Sequence, residues 1–182
     1  MTRALINIDY TYDFVATDGK LTCGVPGQKI EDEIVKITDL FKQRGEYIVF
    51  AIDGHEENDK FHPENKLFPP HNINGTKGRD LYGKLGEWYS KNNEDTNIYW
   101  MDKTRYSAFA GTDLEMKLKA RGINEVHFVG VCTDICVFHT AVDAYNKGFN
   151  IVIHEKATAS FNQDGHAYAL NHFKDTMGAE IL

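Results

Sequence analysis

Short apolar runs of strand character alternate with amphipathic helical stretches along the whole chain, and most of the runs end on a residue able to do chemistry. Arg3–Ile8 reads as a buried strand, after which Ile30, Ile34, Ile37, Leu40 and Phe41 recur at helical spacing until Gly45. Tyr47–Ile52 is a second strand, halted by the polar cluster Asp53-Gly54-His55. Asn97–Met101 and Val126–Val131 are the third and fourth. Thr112-x-x-Glu115 has the pattern of a capping box opening a helix that closes at Gly122. Asp134–Lys147 reads as a helix closed by Gly148, Phe149–His154 as strand five, His166–Met177 as the last helix and Ala179–Leu182 as a terminal strand.

Parallel strands need crossover connections, and helices are the usual ones, so this alternation predicts an α/β fold: a doubly wound parallel sheet with helices on both faces. Ligands of such sheets bind beyond the carboxyl ends of the strands. Here those ends carry Asp9, then Asp53 and His55, then Asp102 and Lys103, then Cys132 and Cys136. Between strands two and three, at about 54–95, the chain holds three of its four prolines and little periodicity, which predicts a long loop of the functional kind. Residues 1–182 are read as one domain, with no repeat, low-complexity tract or linker.

Composition removes several classes. With 20 basic and 27 acidic residues the formal charge is -7, which repels phosphate backbones and anionic membranes, so nucleic acid and membrane are not expected partners. The first ten residues lack the length and flanks of a signal peptide. Three cysteines, Cys23, Cys132 and Cys136, form no C-x-x-C pair and no even set for a disulfide framework, which points to a reducing cytoplasm. Gly78 to Lys84 matches G-x-x-x-x-G-K, but Leu85 stands where a magnesium-holding Ser or Thr is required and no strand precedes it. No G-x-G-x-x-G follows strand one, so no bound NAD is expected.

Cys136 falls in the first turn of a helix that follows a buried strand, where unpaired amides and the helix dipole favour a thiolate and can hold an oxyanion. Asp9 and Lys103, at neighbouring strand ends, can supply a base and a positive charge. Without that convergence Cys136 would read as a small buried hydrophobe. Cys23 has no obvious base, and Cys132 more plausibly contributes its backbone amide than its thiol. Asp53 and His55 are two apart in extended chain and can point the same way, and His71 can return from the loop. Two imidazoles and a carboxylate with open positions suit a catalytic divalent metal such as zinc or iron. His62, His127, His139, His154, His166 and His172 are read as structural or solvent-facing.

Asp9 with Asp13-Phe14, Asp53-x-His55, Phe68-Pro69-Pro70-His71, Lys103 ahead of Tyr106-Ser107-Ala108-Phe109, and Gly130-Val131-Cys132-Thr133-Asp134-Ile135-Cys136-Val137 together resemble a nicotinamidase of the isochorismatase-like cysteine hydrolase family, over nearly the whole chain. The resemblance implies six parallel strands in the order 3-2-1-4-5-6, a catalytic triad of Asp9, Lys103 and Cys136, and a cis peptide before Cys132 that shapes an oxyanion hole from the amides of Cys132 and Cys136. It implies a metal on Asp53, His55 and His71, with Glu64 as a further ligand in some bacterial members. Zinc is the first expectation, with iron and manganese as the others. Phe14 and Phe68, and with them Tyr106 and Trp100, are the aromatics that would pack a flat pyridine. The implied reaction is hydrolysis of nicotinamide to nicotinate and ammonia through a cysteine thioester, in NAD salvage, with pyrazinamide as a second substrate. A homo-oligomer is compatible with the resemblance. The competing readings are a relative acting on isochorismate or a carbamoyl amide, and a non-catalytic module that kept the fold.

Overall fold

Three strands lie in the middle of the architecture because their residues are apolar on both faces. Arg3–Ile8 (β1), Tyr47–Asp53 (β2) and Glu125–Val131 (β4) are buried almost throughout, as strands covered from both sides must be. Ile98–Lys103 (β3), Asn150–Ala159 (β5) and the short Glu180–Ile181 (β6) complete a sheet of order β3-β2-β1-β4-β5-β6, every neighbouring pair parallel. This computed structural model describes residues 2–182.

Successive side chains along each strand face opposite ways and feed two separate cores. Ala4, Ile6, Ile8, Val49, Val126 and Phe128 pack with Leu114–Ala120 (α5), Phe138–Asn146 (α6) and Gln163–Met177 (α7), through Leu118, Ala141, Ala144, Ala169 and Phe173. Leu5, Ile48, Phe50, Ile52 and Val129 pack on the other side with Glu31–Gln43 (α3), through Ile34, Ile37 and Phe41. Two short helices, Tyr12–Val15 (α1) and Val25–Lys29 (α2), lie in the β1–α3 connection. No helix among the described residues is long and apolar enough to cross a membrane.

Four local readings of the sequence are corrected. The stretch from 54 to 95 is not one long loop: it holds short 3-10 turns at Pro63–Lys66 and Lys77–Arg79, then a full helix, Gly83–Asn92 (α4), which buries Leu85 and Trp88. Two glycines in its first turn mask a periodicity only ten residues long. Thr112 and Glu115 do not form a capping box; Thr112 Oγ1 accepts from Leu114 N (3.3 Å), while Glu115 pairs with Lys119 (2.5 Å) and Lys147 (2.7 Å). The helix after β4 is not continuous from Asp134, because Thr133–Val137 forms a wide π turn before α6 begins. Strand five does not stop at His154; it passes an irregularity at the exposed Glu155-Lys156 and resumes against Gly130 and Val131.

Candidate active site

The reactive edge is built where β1, β2, β3 and β4 end. Gly130, near the end of β4, has φ +117, and a Cβ there would sit 1.9 Å from the carbonyl oxygen of Ile8. Only glycine lets the two strands approach so closely. Asp9 follows at φ +53, its own N–H donating to Ala51 O (3.2 Å) and its Oδ1 accepting from Asp53 N (2.7 Å). The left-handed turn thus aims the carboxylate across the sheet instead of along it. The peptide joining Val131 to Cys132 is cis, and Ile135 N and Val137 N both return to Cys132 O (3.1 and 3.2 Å), wrapping residues 133–137 around the site.

Asp9, Lys103 and Cys136 meet there. Lys103 Nζ lies 2.7 Å from Asp9 Oδ2, 3.7 Å from Cys136 Sγ and 3.5 Å from Asp53 Oδ1, and donates to Arg105 O at 3.2 Å. All three side chains are buried. Burial alone would neutralise Lys103, but Asp53, Asp9 and Cys136 outweigh it and push its ammonium well above the ordinary lysine range. Burial raises the Asp9 carboxyl, with Lys103 opposing and Asp53 reinforcing the rise. Burial also drives the Cys136 thiol well up, against the pull of Lys103. Burial and the two neighbouring carboxylates thus oppose the helix dipole and Lys103 at this sulfur.

Beside this group, ligand atoms of Asp53, His55, Glu64 and His71 all lie within 4.8 Å of one another, every one of the residues buried. His55 Nε2 is 2.5 Å from Asp53 Oδ2. His71 Nδ1 donates to Pro69 O (2.8 Å), which leaves a lone pair on Nε2. That atom has no hydrogen-bond partner and faces Glu64 Oε2 at 3.4 Å and Asp53 Oδ2 at 3.8 Å. Two carboxylates facing that nitrogen call for a cation: against burial, Glu64, the Pro69 carbonyl and Asp53 raise the imidazole, and the donor set fits a divalent metal in place of the proton. Asp53 is ready for that role. Although burial works the other way, Lys103 and His55 hold its carboxyl at about 2.

The loop that returns His71 is fastened to the first strand's end. Asn72, at φ +44, donates its N–H to Asp13 Oδ2 (2.8 Å), accepts from Thr11 Oγ1 (2.9 Å) through its side chain, and takes His55 N (3.1 Å) on its carbonyl. A Cβ at Gly78 would come within 2.1 Å of Asp13 Oδ2, so packing explains the glycine that produced the phosphate-loop match. His62 is structural: Nε2 donates to Thr104 O (2.7 Å) and Nδ1 accepts from Glu64 N (3.3 Å).

A cavity of about 440 Å³, its open mouth included, adjoins both groups. Its walls include Phe14, Phe68, Tyr106, Cys132 and Cys136, with Asp53 and Glu64 at the metal cluster. Trp100, expected among the aromatics, is not there. It lies across β3 beside Tyr89 and Arg79, its indole N–H donating to Asp102 (2.7 Å). Leu21, Val131, Ile135 and Phe161 also line the cavity, outside the expected set. Phe161 follows β5, so the strand-end rule reaches it once that strand's true length is known; Leu21 carries no such signal.

The isochorismatase domain model matches residues 3–182. The chain belongs to the isochorismatase family. Among family members, the uncharacterized isochorismatase family protein PncA of Bacillus subtilis (strain 168) is 64% identical over 181 residues, spanning 100% of this chain and 99% of the relative. The crystal structure of nicotinamidase/pyrazinamidase PncA from Bacillus subtilis superposes with a TM-score of 0.99 at 61% identity, covering 100% of this chain and 99% of that one. The pyrazinamidase of Pyrococcus horikoshii, solved in complex with zinc, gives 0.87 at 28% identity, covering 100% of this chain and 99% of that one.

Proposed function

We propose that this chain is a nicotinamidase, releasing ammonia and nicotinate from nicotinamide through a thioester on Cys136. The observation that carries the reading is the position of Lys103 Nζ, within 3.7 Å of Asp9, Asp53 and the Cys136 sulfur at once, with Asp53 and Cys136 lining a small aromatic-walled cavity. Asp9, raised by burial, takes the thiol proton as the sulfur attacks the carboxamide carbon, while Lys103 keeps the emerging charges paired. The amides of Cys132 and Cys136 receive the oxyanion. Asp9 returns its proton to the departing ammonia, then deprotonates the water that cleaves the thioester. Asp53, His55, Glu64 and His71 would hold a divalent ion, which would supply Lewis acidity beside the thiol when bound. Zinc is the ion proposed, given the zinc complex of the Pyrococcus horikoshii pyrazinamidase. Phe14, Phe68 and Tyr106, on the cavity walls, are the aromatics proposed to pack the ring.

Pyrazinamide offers the same amide and an equivalent nitrogen and is proposed as a second substrate. A role in cytoplasmic NAD salvage follows from the product. The test is ammonia release by purified protein supplied with nicotinamide, with and without added zinc, manganese or iron. Turnover of isochorismate or a carbamoyl amide in place of nicotinamide would overturn the substrate assignment.

A further inference from the structure

The first turn of α7 sits against the turn that carries the proposed oxyanion amides. His166, in that first turn, places Nδ1 2.8 Å from the hydroxyl oxygen of Thr133, which stands between Cys132 and Cys136. Thr133 is fully buried, and this imidazole is its hydroxyl's only hydrogen-bond partner among the described residues. The adjoining residues are fitted as closely: an added Cβ at Gly165 would lie 2.1 Å from Asp134 Oδ2, so a glycine there lets the helix close onto the carboxylate. Farther along, α7 is anchored in the core through Ala169, Phe173 and Met177. The helix is thus a fixed support, and the bond between His166 and Thr133 is its polar link to the site. Burial, against Glu155 and Asp134, lowers His166, so the ring is neutral at pH 7 and donates or accepts at Nδ1 according to its tautomer.

We propose that His166 is a positioning residue: through the Thr133 hydroxyl it holds the turn at residues 133–137 where the amides of Cys132 and Cys136 meet the oxyanion. Thr133 directly follows one of these amides and precedes the other within the same turn, so a rotation at Thr133 moves both donors relative to the carboxamide. Loss of the imidazole leaves a buried hydroxyl unpaired, and the turn shifts to find it a partner. His166 is not among the residues lining the cavity, so its effect on rate passes through Thr133. Alignment of the oxyanion donors matters in the transition state and not in the bound amide, so its loss lowers kcat and leaves KM in place.

The effect on turnover rests on the amidase reading, whereas the geometry of the turn does not. Asparagine sets a polar atom near the place of imidazole Nδ1, and glutamine near that of Nε2. His166→Gln is therefore expected to lower kcat for nicotinamide by about 10–100-fold, as for a displaced oxyanion donor, with KM unchanged, and His166→Asn to restore most of it. Thr133→Val, which puts a methyl in place of the hydroxyl, should lose as much as His166→Gln, and the double variant no more than either. The aldehyde analogue of nicotinamide gives a second readout. The Cys136 thiol adds across its carbonyl, the S–C bond forming and the thiol proton passing to the oxygen that lies against the two amides. Affinity for the aldehyde should fall with kcat across the variants while affinity for nicotinate holds. In heteronuclear NMR the amide signals of Cys132 and Cys136 should move in His166→Gln and return in His166→Asn. An unchanged kcat in His166→Gln, a loss carried by KM, a loss that asparagine does not restore, or effects of His166→Gln and Thr133→Val that simply multiply would each overturn the proposal. A wild type without nicotinamide turnover would count against the amidase reading alone, and unmoved amide signals in His166→Gln would then overturn the positioning role.

Discussion

Arg79 Nε donates to the carbonyl oxygen of Asp53 at 2.8 Å, and the same guanidinium reaches Ile52 O (3.2 Å) and Asp102 Oδ1 (2.5 Å). One side chain therefore ties the end of β2, which carries Asp53, to the residue preceding Lys103 on β3. A flexible ammonium cannot reproduce this planar fork. Arg79→Lys is expected to weaken metal binding and turnover together, with a stability loss of about 1.5–3 kcal/mol, the range for hydrogen bonds to charged groups. Zinc titration calorimetry and thermal melting measure both, and unchanged zinc affinity would show that the clamp does not reach the ligands.

Cys136→Ala removes the sulfur and little volume. Ammonia release from nicotinamide should fall by about four orders of magnitude, as for loss of a covalent nucleophile, while the melting temperature stays near that of the wild type. Residual activity within tenfold of wild type would exclude the thioester route.

Lys103 is the counter-ion of two buried carboxylates, Asp9 and Asp53. Lys103→Met leaves Asp9 without a counter-ion and Asp53 with the imidazoles of His55 and His71 alone, and breaking a buried pair costs about 3–5 kcal/mol. The double variant Lys103→Met/Asp9→Asn removes one stranded charge and should be more stable than Lys103→Met alone. Denaturant unfolding of the set decides this, and a purely additive outcome would mean that the pair is not coupled.

Metal removal has its own readout. One zinc per chain is expected by elemental analysis, and His71→Ala or Glu64→Gln should raise the dissociation constant by about 10–100-fold or more. If Glu64→Gln leaves the affinity untouched, the ion is held by Asp53, His55 and His71 only.

Acid sensitivity should arise at the opposite end of the sheet from the chemistry. His127 Nδ1 is 3.0 Å from His154 Nε2, and burial, then the proximity of His127, lowers His154 to about 4. His127 is lowered too, chiefly by burial. The folded state keeps both rings neutral while the unfolded chain binds protons from about pH 6.5 downward. Stability is therefore complete above that pH and is lost as the pH falls toward 4, by a few kcal/mol. His154→Leu should flatten the curve of unfolding free energy against pH between those limits.

The core of the fold is legible in the sequence because strands buried on both faces are written as unbroken apolar runs, such as Tyr47–Asp53. The strand-end rule then brings Asp9, Lys103 and Cys136 to one rim without any knowledge of side-chain angles. Readings fail where local signals are short or interrupted. Gly83 and Gly86 hide α4, and Glu155-Lys156 cuts β5 in two, which also hides Phe161. Trp100 was misplaced because strand residues alternate between faces, and which face meets the cavity depends on register, invisible until β3 is paired with β2. Leu21 and Ile135 reach the cavity from irregular segments, turned by the backbone bonds Leu21 N–Asp13 O and Ile135 N–Cys132 O, which no periodicity signals.

The turns that lead back into the sheet have a different character. Gly45, Gly122 and Gly148, just before β2, β4 and β5, all have positive φ, and an added Cβ at any of them would meet nothing within 4 Å. These bends lie on the rim away from the ligand atoms and are open to solvent. They are the places to graft an epitope, attach a fluorophore or insert a reporter domain, because the chain can grow there without moving the machinery on the far side.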